Sequence, residues 1–249
     1  MENKLIEIAD ANLKKLAENT YPGRGIIAGL DETEKYLIQV YWIMGRSANS
    51  RNRIFAETMP GRLVTEAADS TKVKDPSLIM YTAMNSLNNQ HFSISNGHQT
   101  DDALKAAHWC ILLHADTNFS DKWKYEPDEP NFTPRITSVF TKEANNFLQI
   151  SIIKKSPFDD SCTRHLHLYS NLHPGFGYCV TTYKGDGDPL PSFEGEPFLL
   201  PLEGSHEFIL DSYWSTLNQE NKISLAVKFI NIETWEEKTL IKNKYEKVA

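Results

Sequence analysis

Cysteine is scarce in this sequence of 249 residues, which has only three: Cys110, Cys162 and Cys179. An odd number without a C-x-x-C pair excludes a disulfide framework and a thiolate zinc site, and it favours a reducing cytoplasm. No apolar run approaches the ~20 residues that a membrane-spanning helix needs. The first 20 residues also lack the basic start and apolar stretch of a signal peptide. These absences predict a soluble cytoplasmic protein with no membrane partner.

Basic residues are also fewer than acidic ones. The sequence has 26 lysines and arginines and 33 acidic residues, which gives a formal net charge of -7. Such a surface repels polyanions, so nucleic-acid binding is disfavoured and any attraction for phosphate has to be local. The nucleotide-binding signatures G-x-x-x-x-G-K-[ST] and G-x-G-x-x-G are absent, and so is the esterase signature G-x-S-x-G.

Apolar residues recur at helical spacing in some segments and form β-rich runs in others. Helical spacing predicts helices over residues 3–18, 101–114 and 203–217, with Thr100 as the N-cap of the second helix. The first two β-rich runs predict a hairpin, because the residues between them are polar. Prolines and glycines mark residues 121–134 and 184–201 as long surface loops. The predicted strands cover residues 26–29, 36–43, 53–57, 62–66, 78–83, 92–95, 136–140, 147–153, 165–169, 178–183 and 223–230. Strands with few helices predict an α+β fold, and the length favours a single domain over residues 1–249.

The sharpest anomaly is the placement of arginine. The chain has seven arginines, yet four of them, Arg24, Arg46, Arg51 and Arg53, fall within thirty positions, and residues 36–56 contain no acid. Guanidinium forks beside the small hydroxyl and amide side chains of residues 46–53 suit the binding of a phosphate. A solvated basic loop explains the same residues, and composition alone leaves both interpretations open.

Two further clusters have competing explanations. Residues 95–101 join a strand to a helix, where Asp101 and Asp102 oppose an anion, so this segment is expected to meet a polar part of a ligand other than phosphate. Helix capping alone explains these residues equally well. His165 and His167 share a face of a predicted strand, but they lack a third ligand at a recognisable spacing, so no metal site is predicted.

Several short segments occur together and in a fixed order. They are Tyr21-Pro22-Gly23-Arg24, residues 41–47 (YWIMGRS) with Asn49 and Arg51, Asp75-Pro76-Ser77, Ser95-Asn96-Gly97 with Thr100-Asp101, Tyr125-Glu126 with Asn131 and residues 133–136 (TPRI), and residues 182–185 (TYKG). With these segments the chain resembles the archaeal-type IMP cyclohydrolase family. It departs from the compact archaeal form by an N-terminal helical extension, residues 1–20, and by a longer C-terminal half.

The resemblance implies a four-layer αββα sandwich like that of N-terminal-nucleophile hydrolases, without self-cleavage. It implies an enzyme of purine biosynthesis that closes 5-formamido-imidazole-4-carboxamide ribotide (FAICAR) to IMP with loss of water. The partner is then a small purine ribonucleotide, with no cofactor and no metal, and a homo-oligomer is compatible with this interpretation.

The resemblance also implies roles for individual residues. Phosphate or the developing oxyanion is expected to contact Arg24, Arg46, Arg51 and Arg53, whereas Asn96 and Asp101 are expected to contact the base or ribose. The catalytic candidates are Tyr41, Glu126 and Asp101, with Tyr41 and Glu126 assigned to proton transfer. The substrate-binding set is completed by Ser47, Gly97, Thr100 and Arg135.

Two other functions remain open at this stage. One is an amide hydrolase of the same architecture with a cysteine or hydroxyl nucleophile, and the other is a non-catalytic protein that binds purine nucleotides. The three cysteines lie far from the N-terminus, which disfavours the first. Polar residues in every matching segment disfavour the second.

Overall fold

The computed structural model describes residues 2–73, 76, 79–113, 122–142 and 147–248, with only the backbone for residues 2 and 108–113. In these ranges one 3-10 turn forms at Ser70–Lys72, and four α-helices form: α1 (Glu2–Glu18), α2 (Ala48–Arg51), α3 (Thr100–Leu113) and α4 (His206–Thr216). None of these helices combines the length and the apolar character that crossing a bilayer requires.

The strands of the described residues form two sheets in which every neighbouring pair is antiparallel. The first sheet has the order β11-β10-β1-β2-β12-β13, and its strands are β1 (Gly25–Leu30), β2 (Tyr36–Met44), β10 (Phe176–Thr181), β11 (Phe198–Pro201), β12 (Lys222–Asn231) and β13 (Glu237–Asn243). The second sheet runs in order from β3 to β9 through β3 (Ile54–Met59), β4 (Arg62–Glu66), β5 (Thr82–Leu87), β6 (His91–Ser95), β7 (Arg135–Thr141), β8 (Leu148–Lys155) and β9 (Cys162–Tyr169).

Strand β2 shows why the sheets stack. Its nine residues are almost continuously apolar, as expected for a strand covered on both faces. Because successive side chains point to opposite faces, Tyr41 and Ile43 pack toward the second sheet, whereas Val40 and Trp42 pack toward the helices outside the first sheet. The main core therefore lies between the two sheets.

Helices cover the outer face of each sheet. On the first sheet, Leu16 of α1 and Ile209 and Tyr213 of α4 join one buried cluster with residues of β2 and β12. On the second sheet, Ala103 and Ala107 of α3 pack on Val139 of β7. The resulting layers are helix, sheet, sheet and helix, so the predicted α+β sandwich is confirmed at the level of two antiparallel sheets with few helices.

The structure departs from the predicted elements at several places. Strand β11 lies inside the predicted loop 184–201, and β13 was not predicted because its polar, half-exposed residues show no clear alternation. Helix α2 interrupts the predicted basic loop, because Ser47 and Ser50 form a capping box around its first turn. Of the strand predicted at residues 78–83, residue 78 lies outside the described residues, and the observed strand β5 begins at Thr82.

The other differences concern helix α3. Thr100 is its first helical residue and not its N-cap. The predicted helix end at His114 lies outside the described residues. So do residue 121, at the start of the predicted loop 121–134, and the side chain of Cys110.

Candidate active site

A cleft of about 290 Å³ opens where four loops meet at one end of the stacked sheets. Its walls come from residues 21–24 before β1, residues 44–53 after β2, residues 126–133 before β7 and residues 183–190 after β10. These segments are far apart in sequence, but β1 lies between β2 and β10 in the first sheet. Sheet order thus brings the arginine-rich segments together.

A buried ion pair forms one part of the wall. Arg24 donates from Nη1 to Glu126 Oε1 at 2.9 Å and from Nη2 to Glu126 Oε2 at 2.7 Å, and Nη1 also donates to the Asn96 carbonyl at 2.9 Å. Burial lowers the pKa of this guanidinium, but the Glu126 carboxylate together with Tyr81 and Tyr41 more than offsets burial and leaves the pKa of Arg24 well above its ordinary value. The pair has no net charge, but it holds the Arg24 guanidinium in a fixed orientation.

The segment after β2 supplies two more guanidinium groups. Arg53 is only 4% exposed, and it donates from Nε to the Ser50 carbonyl at 2.8 Å and from Nη2 to the Met44 carbonyl at 3.0 Å. No carboxylate of the described residues pairs with Arg53. Arg46 pairs with Asp186 at the cleft rim, where both side chains are about half exposed, and its guanidinium carbon lies 4.8 Å from the centre of the Tyr21 ring.

An amide in the same segment also lacks a partner. Asn49 lines the cleft, and its Oδ1 atom is buried without a hydrogen bond to the described residues. The oxygen and nitrogen of an amide side chain are told apart by their hydrogen-bond partners. Rotating the Asn49 amide by 180° would therefore place its NH2 group at this position, where it could donate a hydrogen bond. An orphaned polar group and an unpaired guanidinium in one cleft are typical of a site shaped for a polar ligand.

Another part of the wall is aromatic and acidic. Tyr21 and Tyr183 stack with ring centres 6.0 Å apart, and the Tyr183 hydroxyl forms a hydrogen bond with Thr133 Oγ1. The Thr133 hydroxyl in turn bonds to Asp128 Oδ2, while the Thr133 amide donates to Asp128 Oδ1 at 2.7 Å. Burial raises the pKa of Tyr183 to about 12. This wall holds a neutral phenol at physiological pH.

Gly23 allows the two walls to approach. Its φ of +73° lies in the left-handed region, and a Cβ atom here would sit 2.2 Å from Thr182 Oγ1 and 2.4 Å from the Tyr183 ring. A larger residue would therefore push Tyr183 out of the cleft.

A family model described as "IMP cyclohydrolase-like protein" matches residues 21–235, which include every wall of the cleft. The chain belongs to this family. Its activity is accordingly that of an IMP cyclohydrolase-type enzyme of purine biosynthesis, with a purine nucleotide as substrate. The resemblance predicted from the sequence is thus confirmed. No curated protein matches the chain.

The cleft of this IMP cyclohydrolase-like chain contains part of the predicted residue set. Five predicted side chains line it: Arg24, Arg46, Ser47, Arg53 and Glu126. Ser47 lies at the rim as the N-cap of α2. The remaining predicted residues are not among those that line the cleft: Tyr41, Arg51, Asn96, Gly97, Thr100, Asp101 and Arg135.

Tyr41 lies between the two sheets. Its side chain is fully buried, and its hydroxyl is 2.6 Å from the hydroxyl of Tyr81. Burial raises the pKa of Tyr41 well above its ordinary value, and Arg24 counteracts only part of that shift. Any influence of Tyr41 on the reaction passes through Tyr81 or Arg24, so its predicted catalytic role stays a prediction.

The predicted residues of the β6–α3 turn support the cleft from behind. Asn96 is fully buried, donates from Nδ2 to the Pro134 carbonyl at 2.8 Å and accepts from the Ile136 amide at 2.9 Å. Thr100 bonds to the Gly97 carbonyl at 3.0 Å, inside the same turn. These contacts fix the turn whose Asn96 carbonyl receives Arg24.

Gly97 and Arg135 lie beside the ion pair. A Cβ atom on Gly97 would come within 2.5 Å of Arg135 Nη1, and this nitrogen is 3.8 Å from Glu126 Oε1. Arg135 also donates from Nε to the Lys124 carbonyl at 2.7 Å. It therefore adds positive charge behind Glu126.

Two predicted site residues lie elsewhere. Asp101 accepts from Asn85 Nδ2 at 2.7 Å and is 3.5 Å from Arg62 Nη2, on the outer side of the second sheet. Arg51 donates to the Gly45 carbonyl at 3.0 Å and pairs with the exposed Glu220 at 3.5 Å. The structure does not bring either side chain to the cleft.

Sequence reasoning left several cleft residues out of the candidate set. Tyr21, Asn49, Thr133 and Tyr183 belong to the segments that carried the family resemblance, so position in those segments was the available signal. Asp128 lies between two of them and carried no signal of its own.

The predicted absence of a metal concerns His165 and His167. Both lie on one face of the edge strand β9, as predicted. Within the described ranges, no three His, Cys, Asp or Glu side chains gather closely enough to hold a metal ion.

Proposed function

We propose that the cleft closes FAICAR to IMP and water. In this reaction the carboxamide nitrogen attacks the formyl carbon, and the resulting carbinolamine loses water. An enzyme must hold the phosphate, bring the two atoms into contact, stabilise charge on the formyl oxygen and move protons. The cleft offers a group for each of these tasks.

Charge supports one orientation of the nucleotide. Arg46, Arg53 and Asn49 belong to the segment after β2, whereas Glu126 and Asp128 belong to the segment before β7. A phosphate dianion is attracted by the two guanidinium groups of the first segment and repelled by Asp128, whereas Arg24 balances the charge of Glu126. The half-exposed pair of Arg46 with Asp186 contributes little, so Arg46 can turn to the phosphate at small cost. The base then lies toward Glu126, Asp128 and the two stacked tyrosines.

Arg24 is the group best suited to the formyl oxygen. Glu126 holds the guanidinium through two parallel hydrogen bonds and leaves its orientation fixed before the substrate arrives. A preorganised charge of this kind favours the transition state, because no reorganisation is needed when negative charge develops on the oxygen. In this arrangement Glu126 positions Arg24 and does not itself have to transfer a proton.

The same proposal extends to the rest of the molecule. We infer one domain over residues 1–249, with residues 1–20 as an extension that the family match does not cover. The layer order supports a relation to N-terminal-nucleophile hydrolases, without self-cleavage. A cytoplasmic location is in keeping with an enzyme that makes a nucleotide.

The test is to incubate the purified protein with FAICAR and to identify the products by chromatography. The proposal predicts IMP in amounts equal to the FAICAR consumed, at a rate above that of the heat-denatured protein. Hydrolysis of the formyl group to formate and the free amine would support the amide hydrolase instead. Tight binding of IMP without turnover would support the non-catalytic nucleotide-binding protein.

A further inference from the structure

The hydrogen bonds among Asp128, Thr133 and Tyr183 run in one direction. The Asp128 carboxylate can only accept, so the single proton of the Thr133 hydroxyl points to Asp128 Oδ2. Thr133 Oγ1 is then left to accept from the Tyr183 hydroxyl. Because the proton of Tyr183 is committed to Thr133, the phenolic oxygen presents its lone pairs to the cleft.

This polarity determines what Tyr183 can bind. A phenolic oxygen with its proton turned away accepts a hydrogen bond from an N–H or O–H group of the ligand. In the proposed orientation the phosphate lies at Arg46 and Arg53. Asp128, which is linked to Tyr183 through Thr133, disfavours a phosphate dianion at the Tyr183 hydroxyl. FAICAR offers two N–H groups at its base end, on the formamide nitrogen and on the carboxamide nitrogen. The carboxamide nitrogen is the nucleophile of the ring closure, so it is the one that must lose a proton as the new nitrogen–carbon bond forms.

We propose that Tyr183 is the catalytic group that accepts the proton of the attacking carboxamide nitrogen, and that Thr133 and Asp128 form the relay that receives it. This inference rests on the proposed function. As the nitrogen–carbon bond forms, one N–H proton passes to Tyr183 Oη, the phenolic proton passes to Thr133 Oγ1, and the threonine proton passes to Asp128.

The proton balance closes over the two steps. The first step leaves a proton on Asp128 and negative charge on the former formyl oxygen, next to Arg24. In the second step that proton returns along the same path to this oxygen. The hydrogen of the formamide nitrogen completes the water as the carbon–oxygen bond breaks and the carbon–nitrogen double bond forms.

The environment of Tyr183 agrees with a relay and disagrees with a stable phenolate. Its pKa of about 12, raised by burial, means that the free enzyme holds the neutral phenol. A neutral phenol can take up a proton only while it gives up its own. The hydrogen bond to Thr133 is the path by which the phenolic proton leaves Tyr183.

The test uses matched variants in the FAICAR assay. Tyr183→Phe keeps the ring that stacks on Tyr21 and removes the hydroxyl, and Thr133→Val keeps the shape and interrupts the relay. Both are expected to lower kcat by about 10²-fold or more, with IMP affinity changed less than about threefold. Thr133→Ser keeps the hydroxyl that Thr133→Val removes, so it should retain most of the turnover that the valine variant loses.

Tyr213→Phe is the control for loss of a buried phenol. Tyr213 lies in α4, away from the cleft, and donates to the Pro201 carbonyl at 2.5 Å. Its variant is expected to unfold at a lower temperature and to keep the parent kcat.

Two results would overturn the relay while leaving the cyclohydrolase activity intact. One is parent-like kcat in both Tyr183→Phe and Thr133→Val. The other is a Thr133→Ser variant as slow as Thr133→Val, which would assign the effect to shape. If the parent protein makes no IMP at all, the proposed function fails first and the relay falls with it.

Discussion

At the scale of single residues, only some of the clustered arginines line the cleft, and the sequence did not indicate which ones. Arg46, Arg51 and Arg53 lie within eight positions, yet helix α2 turns Arg51 toward Glu220 while Arg53 is buried at the cleft wall. The direction of a side chain after a four-residue helix depends on the backbone path, which composition does not encode.

Alanine substitution at Arg53 should therefore weaken IMP binding by about 10- to 100-fold, since it removes a guanidinium with no protein carboxylate to satisfy. Arg53→Lys is expected to recover only part of this affinity, because a lysine cannot make a bidentate contact. Calorimetric titration with IMP measures both. Arg51→Ala, the matched control outside the cleft, should bind IMP within about threefold of the parent, and equal losses in the two alanine variants would refute the placement of the phosphate.

Glu126→Gln addresses the buried ion pair. The change leaves Arg24 charged and buried without a carboxylate, with only the glutamine oxygen and the Asn96 carbonyl as acceptors, so the free energy of unfolding should fall by about 3 kcal/mol. Turnover should fall as well, because Arg24 loses its fixed orientation. Urea denaturation and the FAICAR assay check the two effects separately. Glu207→Gln breaks the exposed pair with Lys238, 3.5 Å apart, and should leave both unchanged.

At the scale of elements, helix periodicity and continuous apolar strands were sufficient to predict α1, α4 and the β1–β2 hairpin from the sequence. They failed for β11 and β13, because a four-residue strand and a polar edge strand carry too little pattern. The residues that meet in the cleft come from four loops, and their meeting depends on β1 lying between β2 and β10. Pairing of strands distant in sequence is a property of the whole fold, so the cleft itself could not be predicted from local pattern.

Helix α1 provides a test of packing outside the region that matches the family. Leu16 is 4% exposed and packs with α4 on the first sheet, whereas Ile8 of the same helix is 41% exposed. Leu16→Ala should lower the free energy of unfolding by about 2–3 kcal/mol, and Ile8→Ala by less than about 0.5 kcal/mol. Urea denaturation of the two variants makes the comparison. Equal effects would mean that α1 does not pack as described.

At the scale of the whole molecule, the sandwich buries several tyrosine hydroxyls, whose pKa is therefore higher in the folded protein than in the unfolded chain. Burial raises the pKa of Tyr183 and Tyr169 to about 12, and it raises the pKa of Tyr41 and Tyr213 well above the ordinary value of 10.0. The folded protein thus keeps protons that the unfolded chain loses above pH 10.0.

Stability should consequently fall as the pH rises from about 10 to about 12. In this window the folded state binds more protons than the unfolded state, so the free energy of unfolding decreases with pH. Urea denaturation across the window gives the slope, and absorbance at the tyrosinate band reports ionisation. Ionisation of all ten tyrosines near the ordinary pKa of 10.0 while the protein is still folded would contradict the described burial.

This cleft is expected to bind a purine nucleotide with its phosphate at Arg46 and Arg53 and its base at Tyr21 and Tyr183. A crystal structure of the protein with IMP tests it most directly. Phosphate oxygens are expected about 3 Å from the guanidinium nitrogens of Arg46 and Arg53, with the purine ring beside the Tyr183 hydroxyl. IMP bound outside this cleft, or bound with its phosphate against Asp128, would contradict it.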